Sequence, residues 1–134
     1  MIIGLRTFFS VVLLSMIGVT SWAGWQVPLW EIPRSVGGHP WFIATLGDAY
    51  WGFFTFFVWL SYKEPSWLSR ALWLIAIVLL GNMAMAVYGL AVTFTARPDA
   101  SPSDVLLRAT PIPPKLPALL IAAFGIVGGI AAAT

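Results

Sequence analysis

Four long runs of apolar residues, separated by short polar connections, constrain this chain more than any other feature. The runs cover residues 5–23, 41–62, 68–95 and 116–133. A helix of about 20 apolar residues is long enough to cross a bilayer. Charged residues make up only 9% of the 134 residues, against about 25% in a soluble domain. The sequence therefore excludes a water-soluble globule and predicts an integral membrane protein.

We predict an all-α fold, a single membrane domain over residues 1–134 that forms a bundle of four transmembrane helices. The fourth helix is rich in small residues and follows a proline-rich loop at residues 97–115. Within this loop, Ser101-Pro102-Ser103-Asp104 is typical of a helix start and predicts a short surface helix. Residues 1–23 also have the layout of a signal peptide, although a retained helix is favoured because the bulky Trp22 adjoins the cleavage site.

Asp48 is the most informative polar residue because it lies about seven residues inside the second run. An ionisable group at that depth costs at least about 2–3.5 kcal/mol and is a candidate for function. Thr45 lies on the same helix face, while Asn82 and Tyr88 lie within the third run. Measured from the interface at which the second run begins and the third run ends, Asp48 is predicted about 10 Å deep and Tyr88 about 9 Å deep. Two interpretations stay open, namely polar contacts that hold helices together and a ligand or proton site.

Other residue types suggest weaker sites. A single histidine, His39, precedes Pro40 and Trp41, and it could ligate a chlorin or haem, although a loop role is favoured. Tyr50 and Trp51 are further ligand-binding candidates. Close helix packing is predicted at four glycines: Gly52, Gly89, Gly125 and Gly129. The last two form a G-x-x-x-G in the fourth run. We predict no metal site and no catalytic residue, because one histidine and scattered carboxylates match no such pattern.

The charge distribution argues against nucleic acid as a partner. The seven Lys and Arg residues are scattered singly between apolar runs, whereas nucleic-acid binders cluster them on one face. Four straight spans place Arg6, Lys63 and Arg70 on one side of the membrane, and Arg34, Arg97, Arg108 and Lys115 on the other. This near balance gives a weak preference for a cytoplasmic N-terminus in a cell membrane of the inner or plasma type.

Several short motifs resemble a family of small multi-pass membrane proteins that carry a domain of unknown function. They are His39-Pro40-Trp41, Asp48-Ala49-Tyr50, Tyr62-Lys63-Glu64 and Gly81-Asn82. The resemblance covers approximately the first three runs and leaves the proline-rich loop and the fourth run unmatched. It implies a membrane location and a helical fold, and it implies no activity.

Three functional hypotheses follow. The first is an accessory, structural subunit of a larger membrane complex, for example an energy-converting or photosynthetic one, whose partners are lipid and other membrane polypeptides. The second is a small carrier or proton-linked transporter that uses Asp48. The third is a protein that binds a lipid, quinone or pigment. The first is favoured because no catalytic constellation is visible, the helix faces are rich in aromatic residues and the fourth run offers a G-x-x-x-G, so no cofactor is expected and an enzyme is disfavoured.

Overall fold

The fold is all-helical, as predicted. A computed structural model describes residues 1–133, which contain seven α-helices and no β-strand. A short 3-10 turn at Leu29–Glu31 follows the first helix. The helices are α1 (Ile2–Gln26), α2 (Arg34–Gly37), α3 (Pro40–Lys63), α4 (Trp67–Leu80), α5 (Asn82–Thr95), α6 (Pro102–Leu107) and α7 (Lys115–Ala133).

Three of these helices, α1, α3 and α7, are long and apolar enough to cross a membrane. They match the first, second and fourth apolar runs. The start of α3 shows why its sequence folds this way. The His39 side chain caps the helix by accepting a hydrogen bond at Nδ1 from the backbone N–H of Trp41, and Pro40 occupies the first helical position.

The third apolar run is not one helix. It divides at Gly81 into α4 and α5, which have 14 residues each, so the described residues contain three helices of spanning length instead of the predicted four. Gly81 has φ 53° and ψ −125°, a conformation close to the mirror image of an extended strand that only glycine adopts readily. The chain turns at this residue.

The turn folds α4 and α5 against each other as a helical hairpin, with Gly81 at its tip. The rings of Trp73 and Tyr88 are 5.0 Å apart, whereas 15 residues of straight helix would separate them by about 22 Å. Trp73, Ala76, Ala84 and Tyr88 are all fully buried. The hairpin is therefore the core of the molecule, and its base is the end at which α4 begins and α5 finishes.

Each long helix packs on this hairpin. Helix α1 lies along α5, where Gly89 leaves room for the Phe9 ring. Helix α3 lies along α4, and its Phe53 ring lies against Gly81 at the tip. The first turns of α7 pack on the core beside α4, with Pro117 fully buried. The ends of the long helices that extend past the tip are mostly exposed.

The connections at residues 64–66 and 96–114 lie together at the base of the hairpin. The Lys63 ammonium donates a hydrogen bond to the Arg108 carbonyl oxygen at 2.8 Å. The prediction that Lys63 and Arg108 lie on opposite sides is therefore wrong, because it assumed a third helix that crosses the whole bundle. Within the second connection, α6 begins at the predicted cap, where Ser101 and Asp104 form a capping box.

Candidate functional site

Asp48, the leading candidate from the sequence, lies on the part of α3 that extends past the hairpin tip. Its side chain is exposed. Phe53 marks the level of the tip on α3, so Asp48 is about 7.5 Å further along the helix. Thr45, one turn beyond, donates its hydroxyl to the Trp41 carbonyl of the same helix at 2.8 Å. Neither residue is covered by another element in the described part of the chain.

The two aromatic candidates next to Asp48 have different surroundings. The Tyr50 hydroxyl donates to the Val78 carbonyl oxygen at 3.3 Å, and this bond joins α3 to α4 near the tip. Trp51 is 74% exposed and makes an edge-to-face contact with Phe54, with ring centroids 6.1 Å apart. Tyr50 therefore helps to hold the helices, whereas Trp51 faces outward.

Tyr88 lies far from Asp48, because the hairpin changes its position along the bundle. Its ring contacts Phe56, Trp59 and Trp73, with centroid distances of 6.1, 5.8 and 5.0 Å. Phe56 is eight residues after Asp48, or about 12 Å along α3. The expectation that Tyr88 and Asp48 share one depth depended on a straight third span, and the structure instead places Tyr88 in the core.

Asn82 follows the tip glycine and lines an open groove between α1, α3 and α5. The groove has a volume of about 350 Å³, and its other lining residues are apolar: Phe8, Phe9, Val12, Phe56, Met85 and Ala86. Asn82 is therefore the one side-chain amide on an otherwise apolar wall, at the level where the hairpin ends. Such a groove can accommodate an acyl or prenyl chain.

The predicted packing glycines fall into two groups. At Gly89 an added Cβ would come within 2.5 Å of the Phe9 ring, so α1 and α5 approach closely there. At Gly52, Gly125 and Gly129 an added Cβ would meet nothing within 4 Å. Within residues 1–133, the G-x-x-x-G of α7 therefore has no helix packed on it.

A buried charged cluster at the base of the hairpin was not predicted. Lys63, the last residue of α3, is fully buried. Its ammonium group donates to the carbonyl oxygens of Val105 and Arg108 at 2.6 and 2.8 Å, and to Thr110 Oγ1 at 3.2 Å. All three N–H donors of the ammonium are thereby used, and the connection at residues 96–114 is tied to the end of α3.

Glu64 continues this cluster on the next residue and is also fully buried. Its carboxylate accepts a hydrogen bond from the backbone N–H of Ile112, 3.2 Å from Oε1. Burial raises the pKa of the Glu64 carboxyl group above its ordinary value, and the Ile112 N–H opposes this shift. The Tyr88 hydroxyl lies beside this carboxyl group, outside hydrogen-bonding geometry.

The cluster works as a polar latch between the base of the hairpin and the proline-rich connection. Trp59 adds to it by donating its indole N–H to the Leu106 carbonyl oxygen at 2.9 Å, and the Ser69 hydroxyl donates to the Ile112 carbonyl oxygen at 3.3 Å.

In sequence, Lys63-Glu64-Pro65 has the composition of an ordinary solvated turn. The signal that could have revealed the latch was the length of the third run, since 28 helical residues span about 42 Å, more than the hydrocarbon layer needs.

No metal site is apparent in the part of the chain that the structure describes, where no three His, Cys, Asp or Glu residues come together. His39 serves as the cap of α3, with its ring nitrogen committed to the Trp41 N–H. The helices, hairpin and latch define a small all-helical protein with three helices that can cross a membrane.

Comparison with known proteins identifies the family of the chain. The profile of a family described as "Protein of unknown function (DUF1475)" matches residues 2–111, and the chain belongs to this family. The match includes α1, the hairpin and most of the proline-rich connection, and so it extends beyond the three runs that carried the resemblance in sequence. No curated protein and no solved structure matches the chain.

Proposed function

We propose that the protein is an accessory subunit that packs on a larger membrane complex through the outer part of α3, residues 40–50. The observation that supports this function is the exposed carboxyl group of Asp48. It lies past the hairpin tip, on a helix that is long enough to cross a membrane.

The physical argument concerns the environment of that carboxyl group. Helix α3 has 24 residues and a length of about 36 Å, so Asp48, about 12 Å from its start, falls within the hydrocarbon layer. An ionised carboxylate facing lipid there costs at least about 2.5–3.5 kcal/mol. A hydrogen-bond donor on a neighbouring membrane polypeptide would remove this cost and fix the register of the contact.

We further propose that the base of the hairpin faces the cytoplasm and that the N-terminus is cytoplasmic. Arg6 donates to the Thr93 carbonyl oxygen near the end of α5, and Arg70 donates to the Glu64 carbonyl oxygen. Of the seven basic residues, only Arg34 lies at the opposite end. The other six lie at the base of the hairpin: Arg6, Lys63, Arg70, Arg97, Arg108 and Lys115. The positive-inside rule favours this orientation much more strongly than four straight spans would.

Native mass spectrometry of the tagged protein, gently extracted from its own membranes, tests the subunit proposal. We expect wild type to leave the membrane in a larger assembly of fixed stoichiometry. Asp48→Leu should abolish that assembly while the chain stays inserted and helical, because it removes the only carboxylate of α3. Asp48→Asn should weaken the assembly less, since its amide still forms hydrogen bonds.

The matched control is Glu31→Leu, which makes the same kind of change at an exposed position in the 3-10 turn before α3. It should leave the assembly intact. A wild-type chain that always runs alone, or only with copies of itself, would overturn the proposal. In that case Asp48 and Asn82 would again be candidates for an intramembrane site of a transporter or ligand-binding protein.

A further inference from the structure

An open cavity of about 470 Å³ lies where α5 ends, bordered by the connection at residues 96–111 and by α6. Helix α6 presents Leu106 and Leu107 outward, with 48% and 60% of their surfaces exposed. In a bilayer crossed by α1, α3 and α7, the end of α5 and these exposed leucines would lie at the level of the lipid headgroups.

The wall of the cavity carries charges of both signs. Two arginines, Arg97 and Arg108, and two aspartates, Asp99 and Asp104, are among the residues that line it. Within residues 1–133, the side chains of Arg97, Arg108 and Asp99 form no ion pair or hydrogen bond with one another or with other residues. Arg108 attracts the Asp104 carboxylate electrostatically, and all four charged side chains are exposed and therefore accessible to a ligand.

Asp104 is held in position by the cap of α6. Its Oδ2 accepts hydrogen bonds from the Ser101 hydroxyl at 2.8 Å and from the Ser101 backbone N–H at 3.2 Å. These bonds hold the pKa of the Asp104 carboxyl group below its ordinary value, so the group is ionised at neutral pH. A carboxylate with two oxygens accepts further hydrogen bonds on the atom that the cap leaves open.

The two arginines and two aspartates have a net charge of zero. This balance favours a zwitterionic headgroup over an anionic one. A guanidinium group binds a phosphate through two parallel N–H donors, and a carboxylate accepts hydrogen bonds from a primary ammonium group. The apolar side chains of Val92, Ala96 and Val105 form another part of the wall. An anionic headgroup would use the arginines but meet two uncompensated carboxylates.

We propose that this cavity binds the phosphoethanolamine headgroup of a zwitterionic phospholipid, with its phosphate on Arg97 and Arg108 and its primary ammonium group on Asp99 and Asp104. The lipid acyl chains would then run down past α6 into the hydrocarbon layer. This site is at the opposite end of the bundle from Asp48 and does not depend on a partner subunit.

The test is lipid retention by the full-length protein in native mass spectrometry. The purified protein is offered phosphatidylethanolamine, phosphatidylcholine and phosphatidylglycerol with identical acyl chains, one at a time and in equal mixtures. We expect phosphatidylethanolamine to be retained about tenfold more than phosphatidylcholine, the ratio that one charge-assisted hydrogen bond can supply. Choline has no N–H to donate, so this pair isolates the ammonium contact.

Variants separate the two halves of the headgroup. Asp99→Asn should reduce retention of phosphatidylethanolamine toward the level of phosphatidylcholine, because only Asp104 then remains for the ammonium group, and should leave phosphatidylcholine unchanged. The double variant Arg97→Gln/Arg108→Gln should reduce retention of both lipids. Arg34→Gln, an exposed arginine at the other end of the molecule, is the matched control and should change nothing. All these side chains are exposed, so circular dichroism should show unchanged helix content.

Equal retention of the three lipids, a preference for phosphatidylglycerol, or variants that retain lipid like wild type would each overturn the proposal. Soluble phosphoethanolamine distinguishes the two possible sources of this headgroup. If soluble phosphoethanolamine at the same concentration does not displace bound lipid, the result supports a lipid ligand. If it displaces the lipid fully, the cavity binds a soluble phosphate-bearing amine and the lipid assignment is overturned.

Discussion

At the scale of single residues, Glu64 is a carboxyl group that folding removes from water. Lys63 and Tyr88 are its neighbouring titratable groups, and burial outweighs the Lys63 charge in raising its pKa. Because the folded-state pKa exceeds the ordinary value of 4.5, the folded chain binds this proton more tightly than the unfolded chain does. The free energy of unfolding should therefore fall as pH rises from about 4.5 through the folded-state pKa, by at most about 1.4 kcal/mol per pH unit.

Glu64→Gln should remove this contribution, because its amide oxygen still accepts the Ile112 N–H and cannot ionise. The measurement is thermal unfolding of the purified protein in detergent at a series of pH values, with wild type and variant compared. Glu31→Gln, at an exposed carboxyl group, is the control and should keep the wild-type pH profile. Parallel profiles for wild type and Glu64→Gln would contradict the assignment.

At the scale of elements, Gly81 decides whether residues 67–95 form one helix or two. Its backbone conformation is strained for any residue with a side chain, and an added Cβ would come within 2.7 Å of the Phe53 ring. Gly81→Ala should therefore destabilise the hairpin by about 1–3 kcal/mol. Thermal unfolding followed by circular dichroism measures the change.

Gly52→Ala is the matched control, because Gly52 lies within α3 and an added Cβ there meets nothing within 4 Å. This variant should be neutral or gain about 0.5–1 kcal/mol from the higher helix propensity of alanine. Equal stability of Gly81→Ala and wild type would show that the chain does not turn at this residue.

At the scale of the whole molecule, the hairpin predicts the membrane topology. A straight third span would put residues 65 and 98 on opposite sides, whereas the hairpin puts both at its base. The chain has no cysteine, so single-cysteine variants can be labelled without background. We expect Pro65→Cys and Pro98→Cys, both at exposed positions, to react with a membrane-impermeant maleimide from the same side of sealed vesicles.

Ser35→Cys, exposed between α1 and α3, reports on the other side and should react only from there. In vesicles of known orientation, the cytoplasmic side should be the one from which residues 65 and 98 react. Labelling of these two positions from opposite sides would overturn the hairpin topology, and labelling of both from the outer side would overturn the proposed orientation.

Much of the fold could be predicted because burial in lipid needs only apolar length. Three of the four runs became helices of spanning length, and the α6 cap at Ser101 followed from local chemistry. The break at Gly81 could not be separated from a tolerated glycine inside a helix, because Asn82 is the only polar residue beside it and the apolar runs continue on either side. Because this break was not predicted, the depths predicted for residues after Gly81 were wrong, including the depth of Tyr88.

The candidate site was predictable only in part for the same reason. Asp48 stands out because an ionisable residue within an apolar run is visible in the local sequence. The Lys63–Glu64 latch depends on carbonyl oxygens of residues more than 40 positions away, and no local pattern encodes that distance.

The sequence by itself determined the helical class and the approximate positions of three helices long enough to cross a membrane, because apolar composition and helix rise are local quantities. Only the tertiary structure decided that the third run folds back on itself. The turn at Gly81 and the contact between Trp73 and Tyr88 bring the two loops together at one end of the bundle. That arrangement rests on packing between distant side chains, and it places six of the seven basic residues at one end of the bundle.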